Sequence, residues 1–97
     1  MAADPARTPE QLAAAVIDQP QHRRYELAID GDVAFIDYRR TGDTIAMLHA
    51  EVPPHLGGRG VGTALVRGAL RLARAQGLTV QPYCGFVAAT MRRHPEW

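Results

Sequence analysis

The sequence has 97 residues, of which 46% are hydrophobic and 22% charged, and this length supports one hydrophobic core and therefore one domain. Its formal net charge of +1 argues against a dedicated nucleic-acid-binding protein, whose surface would be strongly basic. Cys84 is the single cysteine, which excludes an internal disulfide, and no apolar run approaches the ~20 residues of a membrane span or forms a signal peptide, so we expect a cytoplasmic protein.

The N-terminal segment predicts a short helix. Residues 1–7 are expected to be frayed, and a capped helix start follows, with Thr8 as N-cap, Pro9 in the first turn and Gln11 three residues after the cap. The helix could extend to about Ala15. Alternatively, residues 14–17 begin a strand, because Val16 and Ile17 are β-branched and favour extended backbone.

Two runs of alternating apolar and polar residues predict a β-hairpin. The runs are residues 25–30 and 33–38, and the glycine-containing turn between them is placed at residues 31–32. A second turn at residues 40–43 leads into a third strand over residues 44–52. This strand ends at two consecutive prolines, because proline cannot donate to a strand ladder.

From Val61 onward the apolar period changes to that of an amphipathic helix. Gly77 is a suitable residue to end this helix. Residues 78–84 are typical of a strand, and residues 86–94 are typical of a short helix that stops before a proline. The apolar face of the long helix consists of Val61, Leu65, Ala69, Leu72 and Ala73, and the opposite face carries Arg67, Arg71 and Arg74.

The order of the predicted elements defines the fold class. A meander of three strands is followed by a glycine-rich loop, a helix, a strand and a second helix. The strand–helix–strand part predicts a right-handed crossover and a parallel pair, whereas the meander predicts antiparallel pairs. The result is an α+β, or mixed α/β, domain with a mixed twisted sheet over residues 16–97. Residues 1–15 are predicted to be an N-terminal extension, partly disordered or a short helix.

The segment GGRGVG, residues 57–62, stands between a strand and a helix start. Glycines at such a place leave backbone N–H groups free to bind an anion, and the helix dipole adds partial positive charge. A Walker loop needs a lysine where Thr63 stands, and a Rossmann fingerprint needs a third glycine where Thr63 or Leu65 stands. Both patterns are therefore rejected, and a glycine-rich turn without a ligand remains as an alternative.

A third phosphate-binding pattern, [Q/R]-x-x-G-x-[G/A], fits this segment at Gly60 and Gly62. Together with HAEVPPHLGGRGVGTALV and the C-terminal PYCGFVAATMRRHPEW, it makes residues 45–97 resemble the GNAT superfamily of N-acetyltransferases, in particular its small single-domain branch. With the preceding hairpin, the resemblance covers residues 16–97. It implies the GNAT-like acyl-CoA N-acyltransferase fold.

The resemblance implies that acetyl-CoA or CoA binds as a substrate in a cleft between two diverging strands, residues 44–52 and 78–84. The first position of the glycine pattern is usually arginine or glutamine, which helps to hold the pyrophosphate, whereas this sequence has Gly57 there. Backbone N–H groups should then carry most of the binding, with weaker affinity, and Arg59 could compensate. The implied coenzyme-binding residues are Val52, Gly57, Gly58, Arg59, Gly60, Val61, Gly62 and Thr63.

His49 and Glu51 are the candidate general bases. They stand two residues apart on one predicted strand and are expected to share a face, together with Ile45 and Met47. Acyl transfer to an amine needs a base, and either side chain can accept a proton near neutral pH in a suitable environment. A hydrogen-bonded structural histidine and a solvated acid remain the alternatives.

Cys84 ends the second cleft strand and precedes a helix, whose dipole favours a thiolate. The resemblance implies a cleft position, where Cys84 could accept the acetyl group transiently, line the thioester site or serve as a small buried hydrophobic residue. A Cys84–His49 pair across the cleft is a further hypothesis. The sequence has no H-x-x-x-H or C-x-x-C spacing, so no metal site is predicted.

The predicted function is the transfer of acetyl from acetyl-CoA to an amine of a protein or a small molecule, by direct attack or through Cys84. The alternative is a CoA- or acetyl-CoA-binding sensor or interaction module without turnover, which the replacement at Gly57 favours. We expect a monomer or weak homodimer with no metal, no nucleic-acid partner and no membrane partner. A chain this short leaves little material for an acceptor pocket, which favours an open, large acceptor or a partner subunit.

Overall fold

The computed structural model describes residues 7–97. These residues form a mixed sheet with helices packed on it. In this range, single turns of 3-10 helix at Pro20–His22 and Pro54–Leu56 interrupt two of the connections. The helices and strands, in chain order, are α1 Pro9–Ala14, β1 Ile17–Gln19, β2 Arg24–Ile29, β3 Asp32–Thr41, β4 Thr44–Glu51, α2 Val61–Ala75, β5 Thr79–Pro82 and α3 Gly85–Arg93.

The first helix begins as its capping residues predict. The Thr8 hydroxyl accepts a hydrogen bond from the Gln11 backbone N–H at 3.0 Å, and the Gln11 side chain accepts one from the Thr8 N–H at 2.8 Å. This reciprocal pair satisfies N–H groups that a helix start leaves free, so the predicted helix is confirmed. The alternative, a strand that begins over residues 14–17, is wrong for its first residues, because the helix includes Ala14 and β1 begins only at Ile17. Residues 1–6 of the segment expected to be frayed lie outside the described residues.

β2 and β3 form the predicted hairpin, but its turn lies one residue earlier than predicted. The two central turn residues are Asp30, with φ 55°, and Gly31, with φ 77°, and Ile29 pairs directly with Asp32. A two-residue turn with positive φ at both positions matches the twist of the flanking strands. Aspartate tolerates this left-handed backbone better than most residues, which is why the turn includes it.

The sheet has the strand order β1-β2-β3-β4-β5. Its first three pairs are antiparallel, and β4 and β5 run parallel because α2 connects them as a crossover. The predicted apolar face of α2 is buried against the sheet, apart from the half-buried Leu72. The α+β class with a mixed sheet is therefore confirmed. The sheet face opposite this core is called the open face below.

α1 crosses α2 at Gly68. No pattern in the sequence had indicated a special role for this glycine. A Cβ at this position would lie 2.5 Å from the Ala13 carbonyl oxygen and 2.6 Å from Val16 Cβ, so the close approach requires glycine. Leu12 of α1 belongs to the same hydrophobic core as the sheet residues. The domain boundary predicted after residue 15 therefore passes between elements that pack together.

Tyr25 and Tyr38 form a buried aromatic pair on the core face, with ring centroids 4.9 Å apart. The Tyr38 hydroxyl donates a hydrogen bond to Asp18 Oδ1 at 2.7 Å. Burial is the main reason that the pKa of Tyr25 is raised to about 12. Burial and the hydrogen bond to Asp18 also raise the pKa of Tyr38 well above its ordinary value. Both phenols are therefore neutral wherever the fold is stable.

We expect the free energy of unfolding to fall as the pH rises above about 10. Tyrosines of the unfolded chain lose their protons there, whereas Tyr25 keeps its proton up to about pH 12, so the folded state binds more protons and loses stability as pH rises. Each buried tyrosine adds a slope of about 1.4 kcal/mol per pH unit. The sequence contains no lysine that would titrate in the same range.

Urea unfolding at a series of pH values from about 8 to about 11 measures this slope. Tyr38→Phe should reduce the slope by about half, since one of the two raised pKa values is removed. Tyr83→Phe is the matched control, because Tyr83 is 68% exposed and its substitution should leave the slope unchanged. Equal slopes in the two variants would contradict the prediction.

Candidate functional site

The pairing of β4 with β5 stops partway along β4. The last paired residues are Met47 and Pro82, and the backbone N–H groups of Tyr83 and Cys84 both donate to the Met47 carbonyl oxygen at 3.0 Å. Within residues 7–97, β4 continues to Glu51 without further pairing to β5. The two chains therefore diverge from Met47, and the opening between residues 48–51 and 83–85 is called the wedge below.

β4 carries one extra residue at the point where the wedge opens. Tyr38 of β3 pairs with Met47, but its neighbour Asp37 pairs with His49, so Leu48 has no counterpart on β3. This is a β-bulge, which bends a strand and reverses the faces of all residues after it. The bulge therefore decides where the side chains that follow Met47 are directed.

The bulge overturns one prediction about the candidate bases. Ile45 and Met47 are buried on the core face, whereas the side chains of His49 and Glu51 are 57% and 62% exposed on the open face. Uninterrupted alternation along residues 44–52, as predicted from the sequence, would have placed the four side chains on one face. His49 and Glu51 do share a face with each other, as expected.

His49 and Glu51 form a contact at the lip of the wedge. His49 Nε2 lies 3.2 Å from Glu51 Oε1, and the imidazole meets the edge of the Phe35 ring with centroids 6.3 Å apart. Across the strands, Asp37 is opposite His49 and is paired with Arg24 at 3.0 Å. The histidine thus has a carboxylate partner and an accessible second nitrogen, as a proton acceptor requires.

The glycine loop presents a run of free N–H groups. Gly58 has φ 77° and Gly60, the N-cap of α2, has φ 74°, a left-handed conformation that side chains disfavour. Within the described residues, the N–H groups of residues 58–63 donate to no backbone acceptor, and α2 has no side-chain cap. Consecutive free amides at a helix start are a site for an anion such as a phosphate.

These amides surround a pocket of about 270 Å³ at the mouth of the wedge. Leu56 and Phe86 line it and were not identified from the sequence. The Phe86 ring lies directly against Gly62, and its position at the start of the helix after the second wedge strand could have indicated it. The predicted coenzyme-binding residues that line the pocket are Val52, Gly57, Gly58, Gly60, Val61, Gly62 and Thr63.

Arg59 is the predicted coenzyme-binding residue that does not line this pocket. Its Nη1 atom lies 2.7 Å from Asp30 Oδ2 in the β2–β3 turn. A neighbouring contact, from His55 Nε2 to Asp32 Oδ2 at 3.5 Å, joins the same two segments. Arg59 thus anchors the glycine loop to the hairpin, and it also lines a neighbouring groove together with Gly60 and Thr63.

Cys84 is the N-cap residue of α3 and lies on the other side of the wedge from His49. Its side chain is half-buried against the hydrophobic core. No hydrogen bond or ion pair in residues 7–97 connects Cys84 with His49 or Glu51. The two candidate catalytic groups therefore flank the wedge from opposite sides, and among the described residues polar contacts bring only His49 and Glu51 together.

In the part of the chain that the structure describes, no group of three or more His, Cys, Asp and Glu side chains is arranged to hold a metal ion. None of the helices in residues 7–97 is long and apolar enough to cross a membrane.

Comparison with known proteins identifies the family. The family model of the GCN5-related N-acetyltransferases matches residues 24–97, which include the hairpin, the glycine loop, both wedge strands and α3. A search of the curated proteins gave no match. The matched range covers most of the chain and agrees with the mixed sheet and the strand–helix–strand crossover. The chain belongs to the GCN5-related N-acetyltransferase family.

Proposed function

We propose that the protein is an acetyl-CoA-dependent N-acetyltransferase that transfers the acetyl group to an amine. The observation that carries the proposal is the run of free N–H groups over residues 58–63, at the mouth of the wedge between β4 and β5. A pyrophosphate suits these donors, since several amides and the positive end of α2 converge on one pocket. The donor set therefore fits the coenzyme implied by the family.

The free edge of β4 supports an extended position for the rest of the coenzyme. Residues 48–51 direct backbone N–H and C=O groups toward the wedge, where β5 no longer pairs with them. A chain that contains amide groups, such as a pantetheine arm, can add to a free edge as a strand would. When bound, acetyl-CoA supplies the activated acyl group, which would then lie between Leu48 and Cys84.

In this proposal His49 is the general base and Glu51 orients it. With the Nε2 proton donated to Glu51 at 3.2 Å, Nδ1 carries the lone pair that accepts a proton from the attacking amine. The exposed position of both side chains lets the proton pass on to solvent. Glu51 also stabilises the imidazolium that forms, since a neighbouring carboxylate favours the charged histidine.

The acceptor would approach over the open face. A surface groove of about 380 Å³ there includes Arg39, Thr44, Ala46, Leu48 and Tyr83 in its lining, and it reaches the bulge where the wedge begins. Because this groove is not covered by any described segment, it suits an amine carried on a protein or another large molecule. Small side chains such as Ala46 leave room for an extended acceptor segment along β4.

Cys84 provides the less favoured route. A thiol at the start of α3 could accept the acetyl group and pass it to the amine. Within residues 7–97 no hydrogen bond links the thiol to His49, whose contact is with Glu51, and this favours direct attack by the amine. The role that we assign to Cys84 is therefore to line the thioester site.

We expect His49→Gln to lower kcat by about a hundredfold or more, because the amine loses its proton acceptor, while the Kd for acetyl-CoA stays unchanged. Glu51→Gln should give a smaller loss of about tenfold, because it removes only the orienting carboxylate. His22→Gln is the control, since His22 is also exposed and pairs with Glu26 of β2, which β3 separates from β4. Full turnover of His49→Gln would exclude His49 as the base.

The proposed function is tested on the wild-type protein by calorimetric titration with acetyl-CoA and CoA, followed by an assay of thiol release with a panel of amines. We expect binding of both coenzyme forms and thiol release with at least one amine. Binding without release across the panel would support the sensor alternative, and no binding would contradict both functions. Because the chain contains no lysine, an acetyl mass that hydroxylamine removes would identify acetyl-Cys84.

A further inference from the structure

The groove assigned to the acceptor adjoins a second depression, and the two share Arg39 and Leu48. The second depression has a volume of about 360 Å³, and Arg23, Tyr38 and Arg40 complete its lining. Leu48 is the bulged residue at which the wedge opens, and it stands next to the candidate base in β4. The two depressions therefore meet where the amine would reach the thioester in the proposed reaction.

Every charged side chain in the two linings, as far as the structure describes the chain, is an arginine. Arg39 lines both depressions, and Arg23 and Arg40 line the second. Within residues 7–97, the side chains of Arg23 and Arg39 form no ion pair or hydrogen bond. Arg40 donates to two neutral oxygens, those of the Gly42 carbonyl at 3.3 Å and the Gln76 amide at 2.9 Å. The three guanidinium charges thus lack a carboxylate partner among these residues.

The acids on the open face of β3 and β4 have partners of their own. Asp37 pairs with Arg24 at 3.0 Å, and Glu51 contacts His49 at 3.2 Å. The local field at the two depressions is therefore positive, although the whole chain carries a formal net charge of only +1. Such a field attracts carboxylates and repels a polycationic acceptor.

Arg23 occupies a backbone position that favours another residue type. Its φ is 55°, a left-handed conformation that glycine adopts without strain, whereas arginine is strained there. Two hydrogen bonds of 3.0 Å hold this conformation, from the Arg23 N–H to the Pro20 carbonyl oxygen and from the Tyr38 N–H to the Arg23 carbonyl oxygen. Because strain of this kind concentrates at functional sites, an arginine here indicates a role for its side chain.

We propose that the acceptor is an acidic polypeptide segment, whose glutamate or aspartate side chains next to the target amine bind Arg39, Arg23 and Arg40. The inference rests on the proposed function and specifies the chemical class of the acceptor. Arg39 is opposite Ala46, which precedes the bulged Leu48 by two positions in β4. A segment extended along β4 rises about 3.3 Å per residue, so the carboxylates that Arg39 binds lie within about three residues of the amine.

The rest of the acceptor groove suits a polypeptide better than a polyamine or a polynucleotide. Leu48 and Tyr83 are 44% and 68% exposed, so both can contact the aliphatic part of the target residue. The side chains in the lining that can form neutral hydrogen bonds with a backbone are Thr41, Thr44 and Gln81. A polyamine would meet like charges in the groove, and an unmodified polynucleotide carries no aliphatic amine that could accept the acetyl group.

Steady-state kinetics of the wild-type protein with matched peptides tests the inference. Each peptide has one amine, either a lysine behind a blocked N-terminus or a free N-terminus, and its neighbouring residues are all glutamate, all glutamine or all arginine. We expect the glutamate peptide to have a KM about tenfold lower than the glutamine peptide in at least one series, and the arginine peptide to be the poorest acceptor. This preference should shrink between about 0.05 and about 0.5 M salt, because screening weakens the attraction.

Arg39→Gln should raise the KM of the glutamate peptide to that of the glutamine peptide, while the Kd for acetyl-CoA and the unfolding curve stay unchanged. Arg39→Glu should reverse the preference, so that the arginine peptide becomes the best acceptor, a result that a merely structural role would not produce. Arg92→Gln is the matched control, an exposed arginine on α3 that lines neither depression, and should keep the preference for the glutamate peptide.

Three outcomes would overturn the inference and leave the proposed function standing. They are equal KM values for the three peptides in both series, an unchanged preference in Arg39→Glu, and turnover of small amines with no peptide accepted. Thiol release with no amine and no peptide would overturn the inference together with the proposed function.

Discussion

Gly68→Ala will lower the free energy of unfolding by about 2 kcal/mol. In an ordinary helix interior the same substitution stabilises by about 0.5–1 kcal/mol, because alanine has the higher helix propensity. At this position the new Cβ would lie 2.5 Å from the Ala13 carbonyl oxygen and 2.6 Å from Val16 Cβ. Backbone atoms cannot rotate away as a side chain can, so α1 must move off α2 and the core opens.

Urea unfolding followed by circular dichroism measures this change, with a matched control on another helix. Gly85→Ala also places alanine at a helical glycine, but a Cβ there meets nothing within 4 Å. Its free energy of unfolding should change by no more than about 0.5 kcal/mol. If Gly68→Ala were as stable as Gly85→Ala, α1 would not cross α2 in solution as described.

Gly60→Ala will weaken acetyl-CoA binding by at least about tenfold, or 1.4 kcal/mol. Gly60 has φ 74°, where alanine is strained by about 1–2 kcal/mol. The loop can relieve this strain by leaving the left-handed conformation, which turns the free N–H groups of residues 58–63 away from a common point. Calorimetric titration of acetyl-CoA into the variant gives the change in Kd.

Gly42→Ala separates the binding effect from simple strain. Gly42 has φ 58°, lies in the turn between β3 and β4, and has open space where a Cβ would stand. It should lose a similar amount of stability, about 1 kcal/mol, and bind acetyl-CoA as the wild-type protein does. Equal losses of coenzyme affinity in the two variants would show that the glycine loop is not the pyrophosphate site.

Local patterns predicted most of the fold because the residues concerned act over short distances. Thr8 and Gln11 cap α1 through atoms three residues apart, and the alternation of residues 25–30 follows from the two-residue period of a strand. The helix from Val61 was visible from its apolar period and its glycine end. The turn at Asp30 was missed by one residue, since sequence alone leaves the pairing register of a hairpin open.

The site was predictable to the extent that it depends on backbone. The spacing of Gly60 and Gly62 indicated the free amides, because glycine allows backbone conformations such as the positive φ of Gly60 that other residues disfavour. The directions of His49 and Glu51 were not predictable, since the bulge at Leu48 arises from the pairing of β4 with β3. The ion pair between Arg59 and Asp30 was likewise not predictable, because the two residues are distant in sequence.

The sequence by itself determined the mixed sheet, the glycine loop at the start of α2 and the position of the two candidate bases on one strand, since periodicity and glycine spacing act along the chain. Only the tertiary structure decided which face the bases occupy, that α1 needs Gly68, and that Arg23, Arg39 and Leu48 line one depression beside the wedge. The physical reason is that these features depend on contacts between segments distant in sequence. Side-chain direction after a bulge, and the meeting of the residue before β2 with the second half of β3, follow from packing that no local pattern specifies.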